Sequence, residues 1–142
     1  MTDDTTVQAA MAALPADLQA SVRESWDRLL NERPAQAAAV MADERMAGSL
    51  PRVWACSEYV STACLRYPED LDFLLGAAGV NAPWAPESLA PTSEAEEDEA
   101  ALMRRLRILR RRETLRVAWR DLAGWSTLDE SLGHLSELAC VC

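Results

Sequence analysis

The sequence predicts an all-α protein, a helical bundle of about five to six helices arranged around one long central helix at about residues 94–122. Three observations point this way. Leucine and alanine are abundant, whereas there are only 5 glycines and 1 phenylalanine. Apolar residues recur every three or four positions over most of the chain. Runs of alternating β-branched or aromatic residues, the signature of half-buried strands, are missing.

The elements follow in order. Residues 1–13 are polar and alanine-rich and are expected to fray. Leu14, Leu18, Val22, Trp26 and Leu29 then mark one face of a first helix. Pro34 opens a second, since its missing N–H is not needed in a first turn, and Gly48 is expected to stop it. Pro51 opens a third, with Val53, Trp54, Ser57, Val60, Cys64 and Leu65 at helical spacing. Pro68 interrupts it and starts a short helix carrying Leu71, Leu74 and Leu75. Gly76, Gly79, Pro83, Pro86 and Pro91 punctuate residues 76–93, which read as a surface loop within one helical segment, 14–142.

The longest helix signal begins at Ser93 or Glu94, where five of six residues are acidic and suit the positive end of a helix dipole. Leu102, Leu106, Leu109 and Val117 form one apolar stripe, and Ile108, Leu115, Trp119 and Leu122 a second on roughly the opposite side. A helix apolar on two sides is packed on two sides. Gly124 ends it. Ser126 with Asp129 resembles a capping box for a last helix, in which Leu128, Leu132, Leu135, Ala139 and Cys142 share a face. That face is still apolar at Cys142, so it is expected to be completed by something outside the sequence.

Composition narrows the function. The formal net charge is −9, which repels phosphate backbones and anionic membranes. No stretch approaches the roughly 20 apolar residues of a membrane span. The Met1-Thr2-Asp3-Asp4 start is acidic where a signal peptide is basic, so the expected location is cytoplasmic. Cys56, Cys64, Cys140 and Cys142 lack the C-x₂-C spacing of structural zinc sites and are expected as free thiols, with Cys56 and Cys64 as buried small hydrophobes.

Eight arginines lie between Arg104 and Arg120, but they point in nearly every direction around the helix and are set against seven acids. That argues for a solvated, ion-paired helix over a nucleic-acid reader. Glu113 falls within the first apolar stripe, where an unpaired carboxylate is costly to bury. Arg116 and Arg120 follow on the same face, so a structural ion-pair cluster of Glu113, Arg116, Arg120 and Asp121 is expected. Asp70 and Asp72 are nominally a D-x-D, yet two residues apart on a helix they point about 200° apart and cannot share an ion. His134 has no catalytic partner pattern, and an exposed or capping role is expected. No Walker loop, nucleophile elbow, H-E-x-x-H or Rossmann pattern is present. No catalytic, cofactor-binding or metal-binding residue is assigned.

Two segments carry a resemblance. Leu109-Arg110-Arg111-Arg112-Glu113-Thr114-Leu115-Arg116-Val117-Ala118-Trp119-Arg120-Asp121-Leu122 looks like the R-R-R-E-x-x-R-I-A-W-R-D-L run of the bifunctional glutamine synthetase adenylyltransferase/adenylyl-removing enzymes. Leu128-Asp129-Glu130-Ser131-Leu132 follows after a short turn, as in that family. Upstream, Ser57-Glu58-Tyr59-Val60 and Pro68-Glu69 resemble its S-[DE]-[FY]-V and P-E.

The resemblance implies a nucleotidyltransferase of nitrogen regulation, which adds AMP from ATP to a tyrosine of glutamine synthetase and removes it by phosphorolysis, releasing ADP. It implies Mg²⁺ and ATP/ADP as cofactors of the whole enzyme, and glutamine synthetase, a PII-type signal protein and the remainder of the catalytic domain as partners. In the family the catalytic G-[GS] and D-x-D motifs come after the W-R-D-L helix, beyond where this sequence stops at Cys142. The expectation is therefore a structural segment, inactive alone. The alternative reading is a free-standing helical interaction module that uses its last apolar face.

Overall fold

The structure is a computed structural model and describes residues 4–86, 89 and 98–142. Among these it contains eight helices and no strand: α1 Thr5–Ala12, α2 Ala16–Glu32, α3 Pro34–Ala42, α4 Glu44–Cys56, α5 Glu58–Arg66, α6 Pro68–Leu75, α7 Glu99–Leu122 and α8 Leu128–Val141. The all-α class is as the sequence predicts, but the helices number more than five or six. The chain also divides into two compact units, Met1–Asn81 and Ala82–Cys142, and the division falls inside the segment read as a loop.

In the first unit the breaks between helices are local and chemical. Arg33 and Tyr67 leave the α region (φ/ψ −143°/65° and −120°/90°) because the ring of the following proline crowds them, and Pro34 and Pro68 then occupy first helical turns. Asp43 caps α4 by accepting from the backbone N–H groups of Arg45 and Met46, and Ser57 caps α5 by accepting from Val60 N–H. Around α4 pack α1, α2, α3 and α5, while α6 packs on α3 and α5. Trp26, Leu29, Met46, Leu50, Leu71 and Leu74 are fully buried.

The structure corrects four expectations here. Residues 1–3 of the N-terminal stretch lie outside the described residues, and from Asp4 on it is ordered helix: Val7 and Met11, one turn apart on α1, are buried, and Asp4 accepts a hydrogen bond from the Trp26 indole at 3.2 Å. Gly48 lies inside α4 and does not stop a helix, because Asp43 begins a new one five residues earlier. Pro51 sits within that helix and not at its start, and Ser57 is a cap where helix was expected to continue. Cys56 and Cys64 consequently fall on different helices, and Cys56 is exposed.

The second unit is a helical hairpin. α7 starts at Glu99, with Asp98 accepting from Ala101 N–H at 2.7 Å; the start expected at residues 93–94 lies outside the described residues. It ends where the sequence predicts, in a Schellman-type cap. Trp125 N–H reaches Arg120 C=O at 2.8 Å, Gly124 N–H reaches Asp121 C=O at 3.0 Å, and Gly124 takes φ +75°. The capping box of α8 is shifted by one residue from the expected pair: Thr127 Oγ1 accepts from Glu130 N–H, and the Glu130 carboxylate accepts from Thr127 N–H. Thr127 has the extended backbone a cap requires, and glutamate reaches back better than aspartate.

Two-sided burial of α7 is confined to its C-terminal half. Glu113, Arg116, Val117 and Arg120 are buried on one side and Leu115 and Trp119 on another, whereas Leu102 and Met103 are exposed.

Candidate functional site in the helical hairpin

α7 and α8 run antiparallel, as the reversed order of their contacts requires: Asp121 meets Ser131, Glu113 meets His134, and Leu106 C=O meets Cys142 Sγ. At the centre of this seam a carboxylate is closed off from water. Glu113 is 5% exposed, and Arg116 and His134 are buried beside it. One oxygen, Oε2, takes two partners: Arg116 Nη1 at 3.2 Å and His134 Nε2 at 2.7 Å. An ionised carboxylate only accepts, so the imidazole carries its proton on Nε2 and donates.

The Arg116 guanidinium is spread over further acceptors. Its Nη2 donates to Ala82 C=O at 2.8 Å and Pro83 C=O at 3.3 Å, while Nε is buried and finds no partner among the described residues. The segment carrying those carbonyls continues across α8. Trp84 stacks on the His134 ring, centroids 5.9 Å apart and planes within 15°, and its indole N–H donates to Glu137 Oε2 at 2.7 Å. Glu137 Oε1 accepts from Leu89 N–H at 3.0 Å. Gly133 makes the stacking possible, because a Cβ there would lie 2.6 Å from a Trp84 ring carbon.

The four residues of the expected cluster therefore have different places. Glu113 and Arg116 meet. Arg120 Nη2 donates to Trp125 C=O at 3.2 Å, and Asp121 Oδ1 accepts from Ser131 Oγ at 3.1 Å, which ties the end of α7 to the turn and to the start of α8. His134, expected exposed or capping, is instead 2% exposed and is the shortest polar contact of the glutamate. The signal was in the spacing: Ser131, His134 and Leu138 form a second, narrower stripe on α8, and all three are buried. The wider stripe of α8 is the one in solvent. Leu128 is 70%, Leu132 53% and Leu135 43% exposed.

Chemically the seam holds charge and presents none of it to a substrate, and no nucleophile faces the glutamate in the contacts described. Asp70 and Asp72 do not fit a shared divalent cation, since Asp70 is fully buried while Asp72 is exposed and accepts from Gln36 Nε2 at 2.7 Å. Among the described residues no group of three or more His, Cys, Asp or Glu could hold a metal ion. Burial pushes the Cys64 thiol up to about 12, with the nearby Asp70 charge acting in the same direction. No described helix is long and apolar enough to cross a membrane.

The family model of glutamate-ammonia ligase adenylyltransferase matches residues 47–142, which include the whole hairpin. The chain belongs to this family. A bifunctional glutamine synthetase adenylyltransferase/adenylyl-removing enzyme of Nitrosococcus oceani is 35% identical over 139 residues, covering 95% of this chain and 14% of the relative. The enzyme of the same name from Thioalkalivibrio sulfidiphilus is 46% identical over 98 residues, covering 66% of this chain and 10% of the relative. That of Pseudomonas aeruginosa is 33% identical over 143 aligned positions, 94% of this chain. The chain thus spans about one seventh of the length of the relatives it matches along most of its own. No solved structure matches.

Proposed function

We propose that this chain is the helical packing segment of a glutamine synthetase adenylyltransferase/adenylyl-removing enzyme, and that it acts by supporting the remainder of the catalytic domain and performs no chemistry itself. The observation that carries the reading is the open leucine face of α8 on a hairpin whose other side is closed by a buried ionic cluster. A monomer rarely leaves such a row of large apolar side chains in water, and contiguous exposed apolar surface marks an interaction site. In this reading ATP/ADP and Mg²⁺ are held by the other parts of the enzyme, glutamine synthetase is its substrate, a PII-type signal protein sets its direction, and it works in the cytoplasm.

The test is reconstitution. The chain is mixed with glutamine synthetase, ATP and Mg²⁺, with and without the Nitrosococcus oceani relative from which the matching segment has been removed. No AMP incorporation is expected from the chain alone. Co-purification with the truncated relative and recovery of adenylylation or AMP removal are expected from the pair. Turnover by the chain alone, or failure to associate, overturns the reading.

A further inference from the structure

The exposed face of α8 does not stand by itself. It continues into a groove against α7 lined by Arg110, Thr114, Leu135, Leu138, Ala139 and Cys142. Leu128, Leu132, Leu135 and Ala139 follow one another at steps of four, three and four, the spacing by which a helix receives a second helix along an apolar seam. The other wall is basic. Arg110 is exposed on the groove, and Arg107, one turn earlier on α7, is exposed beside it. Neither guanidinium is engaged by an ion pair or hydrogen bond among the described residues, and none of the groove-lining side chains is acidic. This is a positive rim on a protein of net charge −9.

We infer that the α7/α8 groove seats an amphipathic helix that lays its apolar edge on Leu132, Leu135 and Ala139 and turns carboxylates toward Arg107 and Arg110. The inference rests on the proposed packing role and deepens it by assigning the chemistry of the packed element. Apolar burial supplies the affinity, and the arginines set which flank of the incoming helix faces α7. Guanidinium groups suit that task because they are weakly hydrated and meet carboxylates with paired donors. A polyanion such as DNA would use the arginines but gain nothing from the leucines.

The experiment titrates the full chain with labelled synthetic helical peptides that carry one leucine seam and differ only in the flank, which is glutamate, glutamine or lysine. Anisotropy is read at about 0.05 M and about 0.5 M salt, where the screening length falls several-fold. The glutamate peptide is expected to bind at least about tenfold more tightly than the lysine peptide at low salt, with the ratio shrinking several-fold at high salt. Arg107→Glu with Arg110→Glu should invert the preference, and Leu132→Ser with Leu135→Ser should abolish binding of all three. If the charge reversal disturbs the fold by circular dichroism, Arg107→Gln with Arg110→Gln replaces it and should erase the preference without inverting it. Equal affinity for all flanks, tighter binding of a DNA duplex than of the glutamate peptide, or self-association through the leucines in place of peptide binding overturns the inference. The two readings fail separately: if Arg107→Glu/Arg110→Glu chain reconstitutes with the truncated relative as well as the unaltered chain does, only the groove assignment falls.

Discussion

The two units of this chain use charge differently. Among the described residues of Met1–Asn81 the fully buried side chains are apolar apart from Asp70, and acids such as Asp43, which caps α4, and Asp4, which accepts from Trp26, sit at helix ends. In Ala82–Cys142 a glutamate, an arginine and a histidine are enclosed together while leucines face water. The first arrangement gains from apolar burial and fails by leaving cavities. The second fails when one member is removed, because its partner is left charged and dry. Buried ion pairs are weak evidence of stabilisation in themselves. What the second unit gains is a fixed register between α7 and α8, since only one alignment brings Glu113, Arg116 and His134 together.

The largest effects should come from the two centres. Trp26→Ala should lower unfolding stability by about 3–5 kcal/mol, the range for emptying a large aromatic site. Glu113→Ala should cost a similar amount, about 3–5 kcal/mol, by stranding Arg116. Urea denaturation followed by circular dichroism measures both. A triple variant, Glu113→Leu, Arg116→Met and His134→Phe, replaces the enclosed glutamate, arginine and histidine together. It should recover most of the stability lost by Glu113→Ala, and no replacement at Trp26 short of another large aromatic should do the same. If the triple variant is no better than Glu113→Ala, the seam is stabilised by its charges and the contrast between the units dissolves.

A middle-sized effect belongs to Gly133→Ala. The added Cβ would stand 2.6 Å from the Trp84 ring, which is rigid and held by Glu137, so either the ring leaves His134 or α8 shifts. A cost of about 1–3 kcal/mol is expected. The indole N–H resonance of Trp84 should move as its bond to Glu137 is lost. An unchanged resonance would mean that the stack does not hold the segment.

How much of this was legible in the sequence depended on how many residues each feature needs. Helix class, the end of α7 at Gly124 and the starts at Pro34 and Pro68 are each written in one or two residues, and they were readable. α1 was not, because Val7 and Met11 are two apolar residues in an alanine-rich run, and the helices that pack on α1 are α4 and α2, which their own spacing does not report. Gly48 and Pro51 do not end a helix because local propensity yields to the packing that keeps α4 continuous through them. At the seam, Glu113 stood out as a carboxylate on an apolar stripe, and Arg116 three residues on followed from helical geometry. His134 lies on another helix 21 positions away, and its pairing depends on how α7 and α8 align, which no spacing within one helix reports.

A smaller effect separates the thiols. Cys56, Cys140 and Cys142 are exposed and Cys64 is buried, its thiol pushed from 9.0 to about 12 by desolvation. In the native protein near pH 8, three thiols should react readily with a disulfide reagent, and the fourth only as fast as its helix opens. The raised value means that the fold favours the protonated thiol. Its contribution to stability is therefore complete below pH 9 and declines between pH 9 and 12, by up to about 1.4 kcal/mol per pH unit. Cys64→Ala should flatten that decline relative to the unaltered chain. Four equally reactive native thiols would place Cys64 outside the core.

The smallest effect is the most telling about the second unit. Leu132→Ser and Leu135→Ser, at side chains that are 53% and 43% exposed, should change the stability of the chain by no more than about 0.5 kcal/mol each, and so break nothing that holds the hairpin together. A leucine that contributes little to its own fold and stands in water has a reason to be there only if something else covers it. Thermal unfolding of the two variants beside their association with the truncated relative separates these roles. Unchanged unfolding with lost association assigns the leucines to the partner. A loss of several kcal/mol in the chain alone would instead make them part of this fold's own core, and the asymmetry between a charged interior and an apolar exterior would have to be withdrawn.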